Sequence, residues 1–186
     1  MKSMVPRLLV ALVASTLLFP AIGTADGPIA GPVPDARIVI FKEQRLLQLF
    51  SGDDLVREYH IGLGFEPVAD KRREGDGATP EGSYRICIKN PQSQFYLSLG
   101  LDYPNLSDAV VGRQEGVISP SEENAVAEAI QHQRCPPWNT ALGGEIFIHG
   151  RGSSSDWTLG CVGLDDEDMQ ELYDAVNVGT SVEIQP

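Results

Sequence analysis

The chain has 186 residues and a formal net charge of −12 at neutral pH. This length suits one domain with a sizeable core, since a chain of about 150 residues buries roughly two-thirds of its unfolded surface. An acidic surface repels phosphate backbones, so the charge argues against a nucleic-acid partner, although it identifies no substrate.

The first residues, 1–25, have the pattern of a secretory signal peptide. Lys2 and Arg7 precede an apolar run over 8–21. Small residues then lead to Ala25, and cleavage after it would make Asp26 the first residue of the mature chain. The run is short for a membrane-crossing helix, which needs about 20 apolar residues; an uncleaved anchor is the alternative. No cysteine follows at once for lipid attachment. We therefore expect an exported protein that works in the periplasm.

The next segment, 26–36, is rich in proline and glycine, which predicts an extended linker before a catalytic domain over 37–186. Three β-strands are predicted next, over 37–41, 45–50 and 55–63. The separators between them are short, which favours antiparallel hairpins over crossover connections.

The rest of the domain is predicted to contain further strands and two short helices. A polar loop precedes strands over 83–88, 93–101, 145–148 and 180–184. The alternation of apolar and polar residues over 83–88 is typical of a half-buried strand, and 145–148 is expected to be a buried strand. We expect a mainly β fold, either a sandwich or a curled antiparallel sheet, with two short α-helices.

The two helices are predicted from their caps and apolar faces. The first begins with Ser121 as its cap and ends near Gln131. The second begins near 165–166 and ends near Val176, and its acidic first turn suits the positive end of a helix. Its inner face is expected to carry Met169, Leu172 and Val176.

The cysteines number three, so at least one of them is unpaired within the chain. An exported protein meets an oxidising compartment, in which free thiols are uncommon. We favour a disulfide between Cys87 and Cys135, with Cys161 left as the working thiol. The alternative is three reduced cysteines, two of which are buried as small apolar residues.

Cys161 and His149 form the candidate catalytic pair. His149 ends an apolar run, and Cys161 follows Gly160 after a serine-rich gap. A thiol becomes a strong nucleophile when a nearby base removes its proton, and histidine commonly does this. The amides of Cys161 and of Gly160 or Leu159 could donate to an oxyanion. No acidic residue is placed to orient His149, so a backbone carbonyl could hold the imidazole instead.

Other side chains are candidates with a plainer alternative. Arg151 could bind a substrate carboxylate through its two-pronged donor face, or it is a solvated loop arginine. Trp157 either walls the cleft or packs under the loop. His60 and His132 are expected to be structural or exposed. No common zinc-ligand spacing is present, which argues against a metal site.

Several motifs together resemble the L,D-transpeptidases of the YkuD type. They are Glu74-Gly75-Asp76-Gly77, Thr79-Pro80-Glu81-Gly82-Ser83-Tyr84, Gly144-Glu145-Ile146-Phe147-Ile148-His149-Gly150, Gly160-Cys161-Val162 and Gly179-Thr180-Ser181-Val182-Glu183-Ile184. The form Asp156-Trp157-Thr158-Leu159-Gly160-Cys161 is similar to the branch called the YafK or murein L,D-transpeptidase-like proteins. The order of these motifs, over about residues 36–185, makes the resemblance specific.

The resemblance implies a β-rich catalytic domain in which Cys161 is the nucleophile and His149 the base, with no cofactor. Family members attack meso-diaminopimelate in a peptidoglycan tetrapeptide stem and expel D-alanine. The acyl group then passes to an amine of a second stem, of an outer-membrane lipoprotein or of a free D-amino acid. The residues that would serve the oxyanion or bind substrate are Gly160, Gly150, Arg151 and Thr158.

The chain also departs from the family pattern. An arginine or asparagine usually stands two residues after the cysteine, where this chain has Gly163. Arg151 is the candidate substitute for that carboxylate anchor. The gap between His149 and Cys161 is also shorter than in many members. These departures leave room for a hydrolase of the same substrates, either an L,D-carboxypeptidase or an amidase that releases a wall-linked lipoprotein. A non-catalytic wall-binding module is the other alternative.

Overall fold

The structure, a computed structural model, describes residues 27–186, and the predicted signal peptide lies outside them. The strands are β1 Ala36–Phe41, β2 Leu46–Ser51, β3 Asp54–His60, β4 Gly82–Ser93, β5 Tyr96–Leu101, β6 Phe147–His149, β7 Val162–Gly163 and β8 Ser181–Gln185. The helices are α1 Leu106–Gln114, α2 Pro120–Gln131 and α3 Asp166–Ala175. Within the described range, none of these helices is long and apolar enough to cross a membrane.

The strands form one curled sheet in the order β3-β2-β1-β8-β4-β5-β6-β7. β1, β2 and β3 pair as the predicted antiparallel hairpins, and the mainly β class is confirmed. The sheet is mixed rather than wholly antiparallel, because β8 lies parallel to β1 and β6 lies parallel to β7. β8 comes from the far end of the chain, so no tight turn constrains its direction beside β1.

The strand β3 ends at His60, earlier than predicted, because the chain then turns towards the loop that carries Cys161. Gly62 forms a bridge with Gly163, and Gly64 forms a bridge with Thr158. A Cβ on Gly62 would collide with the Ser155 carbonyl oxygen, and a Cβ on Gly64 with that of Gly77, so neither position has room for a side chain. The N-terminal hairpins are thereby fastened to the cysteine loop.

The helices begin at caps that differ in part from the prediction. α1 was not predicted; it begins after Asn105, whose side chain and amide exchange hydrogen bonds with Asp108. α2 is capped by Ser119, and Pro120 is its first residue, so the cap lies two positions before the predicted Ser121. Proline suits the first helical position because no hydrogen bond is needed there.

The main core lies between the curled sheet and helix α3. The predicted inner face of α3 is confirmed, because Met169, Leu172 and Val176 are fully buried. They join a cluster drawn from every strand of the sheet. A smaller cluster holds α1 against α2 and includes Val126 and Leu142. Burial of the strand side chains in the main core fixes the strands that carry the candidate site.

A disulfide joins Cys87 in β4 to Cys135, just after α2. The favoured cysteine pairing is thus confirmed, and Cys161 is the free cysteine. Residues 138–146 follow the bond and return to β6. The disulfide therefore fastens the helical part of the chain to the sheet next to the segment that leads into the site.

Candidate active site

His149 is held by two neighbouring strands at the end of β6. It pairs with Ser98 of β5 on one side and with Gly163 of β7 on the other. Ile148 beside it is fully buried, and His149 itself is 2% exposed. The apolar strand therefore holds the imidazole at a fixed place on the core edge, which suits a group that must exchange protons with a neighbour.

The orientation of the His149 ring is set by a backbone carbonyl. Nδ1 lies 2.7 Å from the carbonyl oxygen of Gly150. Because a carbonyl oxygen only accepts hydrogen bonds, Nδ1 must carry the proton and donate it. Nε2 then has the free lone pair and can accept a proton. Gly150, named as a candidate substrate-binding residue, instead contributes this carbonyl.

Two aromatic rings enclose the imidazole. Phe95 stacks on it with ring centroids 4.6 Å apart, and Trp157 meets it edge-on at 5.5 Å. Burial lowers the pKa of His149, and the hydrogen bond to Gly150 only partly opposes this. The ring is therefore neutral at physiological pH and available as a base. Of the two roles considered for Trp157, the structure supports that of a cleft wall.

The cysteine sits on a tight turn that Thr158 braces. The Thr158 hydroxyl donates to the Cys161 carbonyl oxygen at 2.7 Å and accepts from the Gly160 amide at 3.1 Å. Gly160 has a φ of +128°, and a Cβ there would lie 2.6 Å from the Ala78 carbonyl oxygen. Only glycine fits that conformation and that approach without strain.

The hydrogen bonds of this turn determine which of the predicted backbone amides is available to donate to an oxyanion. The Gly160 amide, one of the predicted donors, already donates to Thr158. The Cys161 amide has no hydrogen-bond acceptor among residues 27–186. It is therefore the better candidate to stabilise an oxyanion, whereas Thr158 acts on the shape of the turn.

The Cys161 sulfur atom is half-buried, with two backbone partners. It accepts from the Phe147 amide and donates to the Glu145 carbonyl oxygen, each at 3.4 Å. Burial raises the pKa of the Cys161 thiol to about 11, and the Phe147 amide and the charge of Lys71 oppose that rise. At neutral pH the resting thiol is therefore protonated, so a base has to remove its proton during attack.

The thiol and the imidazole line the same cavity, whose volume is about 440 Å³. β6 and β7 run side by side and in parallel, with His149 opposite Gly163, so Cys161, just before β7, lies beside Phe147 at the start of β6. Trp138, Trp157 and Leu159 supply apolar walls, and the acidic side chains of Glu74 and Glu145 lie at the rim. The two residues of the candidate catalytic pair are thus brought together in an open, mostly apolar site.

Arg151 does not line this cavity, contrary to the role suggested for it. Its amide donates to Asp166 at 2.8 Å, and its guanidinium lies 3.7 Å from the same carboxylate. The side chain faces a neighbouring groove beyond Trp157. Gly163 cannot be replaced by a larger anchor either, because a Cβ there would lie 2.7 Å from the Gly152 carbonyl oxygen.

The loop before the cysteine is anchored by an ion pair that sequence reasoning missed. Asp156 accepts from the Arg45 guanidinium at 2.7 Å and from the Leu63 amide at 3.0 Å. These bonds hold the pKa of Asp156 below its usual range against the opposing effect of burial. The serine-rich segment between His149 and Cys161 is therefore fixed to the N-terminal hairpins.

The other two histidines lie away from the cavity. His60 is exposed at the end of β3, and His132 is exposed at the end of α2, where Nδ1 lies 2.9 Å from the Glu128 carbonyl oxygen. In residues 27–186, no group of three histidine, cysteine or acidic side chains is placed to hold a metal ion.

Among the cavity residues that the sequence did not single out are Phe95 and Lys71. Phe95 lies in the turn between β4 and β5, and Lys71 lies in the polar loop over 66–81. Neither belongs to a motif around the cysteine. An aromatic residue in a tight hairpin turn, where polar residues are usual, is the one available signal for Phe95.

Comparison with known proteins agrees with this geometry. Residues 35–184 match the model of the YkuD family, described as the L,D-transpeptidase catalytic domain. No curated protein sequence matches the chain significantly.

Two solved structures show the same fold. The helical cell shape determining protein Pgp2 from Campylobacter jejuni is 23% identical, with a TM-score of 0.56 over 87% of this chain and 52% of that one. Bdellovibrio bacteriovorus Bd1075 is also 23% identical, with a TM-score of 0.53 over 82% of this chain and 48% of that one. The chain thus spans about half the length of these two proteins. Since the family model covers most of the sequence, the chain belongs to the YkuD family of L,D-transpeptidase catalytic domains.

Proposed function

We propose that the protein is an exported cysteine acyltransferase that acts on peptidoglycan stem peptides. Its family consists of L,D-transpeptidase catalytic domains, which act on peptidoglycan peptides. The observation that carries the proposal is the single cavity lined by both the Cys161 thiol and the His149 imidazole. A free thiol beside a neutral, oriented imidazole is the arrangement that nucleophilic catalysis by cysteine needs.

The proposed first half-reaction starts from two uncharged groups. His149 Nε2 takes the thiol proton as the Cys161 sulfur attacks the carbonyl carbon that meso-diaminopimelate contributes to its bond with D-alanine. The Cys161 amide donates to the oxyanion that forms. When this intermediate collapses, the C–N bond breaks, and the leaving amine of D-alanine takes the proton from Nε2. A thioester to the sulfur remains.

The second half-reaction runs the same proton path in reverse. An acceptor amine attacks the thioester while His149 takes its proton, and the C–S bond breaks as the new C–N bond forms. The departing sulfur then recovers the proton from Nε2. The acceptor is an amine of a second stem or of an outer-membrane lipoprotein. If water attacks instead, the product is a tripeptide stem and the enzyme is an L,D-carboxypeptidase.

We also propose that the protein works in the periplasm. The signal-peptide pattern over 1–25 supports export. The disulfide between Cys87 and Cys135 supports it too, because such bonds persist in oxidising compartments. The structural neighbour Pgp2 is named for determining helical cell shape, so cell shape is a suitable phenotype to examine in a strain without this protein.

Incubation of the purified protein with disaccharide tetrapeptide tests the activity. We expect mass spectrometry to detect a cross-linked dimer if an amine is the acceptor, and a tripeptide alone if water is. A tripeptide released from a muropeptide with a linked lipoprotein remnant would identify an amidase. Cys161→Ala should abolish each product.

Two outcomes would contradict the proposal. One is an unchanged substrate with the wild-type protein under all acceptor conditions. The other is turnover by Cys161→Ala at the wild-type rate. If Cys161→Ala still binds isolated sacculi and fully complements a strain without this protein, the protein is instead a wall-binding module.

A further inference from the structure

One lysine reaches the cavity from the polar loop over 66–81. Lys71 lines the same cavity as Cys161 and His149, although its side chain is only 3% exposed. Among residues 27–186, it is the only cationic side chain that lines this cavity. A buried ammonium group is costly unless it is paired, so its place at the cavity that holds the thiol calls for a physical explanation.

The loop that carries this lysine is fixed on both sides of the cavity. Ala78 packs so closely on the cysteine turn that a Cβ on Gly160 would lie 2.6 Å from its carbonyl oxygen. On the other side, the Glu74 amide donates to the Ala141 carbonyl oxygen at 3.0 Å. Backbone contacts therefore hold the ammonium group in place relative to the sulfur, without a need for rearrangement during reaction.

The charge of Lys71 is only partly neutralised by its partner. Nζ donates to Asp76 Oδ1 at 2.9 Å and to the Arg73 carbonyl oxygen at 3.1 Å. Nζ also lies 6.0 Å from the centroid of the Tyr103 ring, and no third hydrogen-bond acceptor for it is seen in the described part of the chain. Asp76 also accepts from the backbone amides of Arg72, Arg73 and Ala78. These amides share the carboxylate charge, so Asp76 does not fully cancel the charge of Lys71.

We propose that Lys71 is the electrostatic partner of the Cys161 thiolate, and that it stabilises the anion formed when sulfur loses its proton to His149. The inference rests on the proposed function, because it concerns the same nucleophile. The charged groups that line the cavity with the sulfur are Lys71, Glu74 and Glu145, with His149 neutral at rest. Lys71 opposes the burial that raises the pKa of the thiol, whereas Glu145 adds to the rise.

The rate of Cys161 alkylation by iodoacetamide, measured against pH without any substrate, tests the inference. Lys71→Met keeps the side-chain length and removes the charge. We expect its profile to move to higher pH and its rate at pH 8 to fall about three- to tenfold, since one pKa unit is a factor of ten in thiolate. Asp76→Asn removes the opposing charge, so its profile should move to lower pH.

Lys42→Met is the matched control for loss of a buried lysine. Lys42 is paired with Glu81 at 2.7 Å and does not line the cavity, so its loss should leave the alkylation profile unchanged. Circular dichroism checks that each variant is folded. If Lys71→Met is unfolded, Lys71→Gln replaces it, because an amide can still donate to Asp76.

A second measurement reports the potential at the sulfur directly. Iodoacetate and iodoacetamide both react with the thiolate, so the ratio of their rate constants does not depend on the thiolate fraction. Loss of the nearby positive charge should lower the iodoacetate-to-iodoacetamide ratio by about threefold or more in Lys71→Met. The ratio should stay at the wild-type value in Lys42→Met.

Two results would overturn the inference. In the first, Lys71→Met leaves both the profile and the ratio unchanged. In the second, Lys71→Met and Asp76→Asn slow alkylation alike, which indicates a disturbed loop rather than a lost charge. Absence of muropeptide products from the wild-type protein would count against the proposed function, and it would leave these thiol measurements intact.

Discussion

At the residue scale, the candidate catalytic pair is uncharged at rest. Burial raises the pKa of Cys161 to about 11 and lowers the pKa of His149. The proton therefore stays on sulfur until a substrate enters, rather than passing to the imidazole in advance. A protonated thiol also resists oxidation, which suits an unpaired cysteine in the periplasm that we propose for this protein.

The enclosure of His149 by Phe95 leads to a prediction about pH dependence. Phe95→Ala should let water reach the imidazole and raise its pKa towards the ordinary value of about 6.5. Because the neutral ring is the active base, the acidic limb of the kcat/KM profile should move to higher pH. Rates of muropeptide turnover between pH 4.5 and 7.5 check this.

The control for that experiment is Phe50→Ala. Phe50 packs under Arg37 in the N-terminal hairpins and does not line the cavity. Its variant should keep the wild-type acidic limb. An acidic limb that is the same in Phe95→Ala and in wild type would mean that the stacked ring does not control the imidazole.

At the element scale, strands and helices with long patterns of large apolar residues were predictable from the sequence. A helix that buries only small residues was not. The three hairpin strands and helix α3 followed from alternation and from a large apolar face. α1 buries Ala109 and Gly112, so it has no stripe of large apolar residues to detect. Its capping box at Asn105 and Asp108 was the available signal. The parallel partners of β8 and β6 depend on contacts between distant segments, which no local pattern encodes.

For the site, residues in local motifs were predictable and residues from distant loops were not. Cys161 and His149 were predictable because the chemistry and the family motif both depend on them. Lys71 and Phe95 were not, since they come from loops far from the cysteine and reach the cavity only through folding. Arg151 was expected at the cavity because it is near His149 in sequence, and the structure places it in the neighbouring groove instead. Its pairing with Asp166 keeps it in a different groove.

The cap of α1 predicts an effect of pH on stability. Burial raises the pKa of Asp108 to about 6, despite hydrogen bonds from Asn105 and Tyr84. The folded protein therefore binds a proton between about pH 6 and pH 4 that the unfolded chain does not yet bind. This contribution to stability is present below pH 4 and is lost as pH rises through 6.

Asp108→Asn removes this titration while keeping the shape of the side chain. The unfolding free energy of the variant minus that of wild type should be larger at pH 7.5 than at pH 4, by at most about 3 kcal/mol. Urea unfolding at the two pH values measures the difference. Equal effects of the substitution at both values would refute a raised pKa in the folded state.

At the scale of the whole molecule, the helical segment depends on one covalent link to the sheet. The Cys87–Cys135 bond closes a separation of 48 residues. Beyond it, Trp138 packs edge-on against Phe147 with ring centroids 5.7 Å apart. The bond therefore stabilises the fold and fixes the chain where it begins to form the cavity wall.

Removal of this disulfide predicts a loss of stability. The double substitution Cys87→Ala with Cys135→Ala should lower the unfolding free energy by about 2–5 kcal/mol, because the unfolded chain regains the freedom of a long loop. Thermal unfolding followed by circular dichroism measures this. Dithiothreitol should lower the Tm of wild type and leave that of the double variant unchanged. A wild-type Tm that does not respond to dithiothreitol would contradict the role of the bond.

The central claim is that Cys161 carries the acyl group in the reaction. The most direct test is intact-protein mass spectrometry, on samples quenched in acid within seconds of mixing with disaccharide tetrapeptide. We predict an added mass equal to the substrate minus D-alanine, mapped by proteolysis to Cys161 and absent from Cys161→Ala. Formation of product by wild type with no adduct on Cys161, together with unimpaired turnover by Cys161→Ala, would contradict the account.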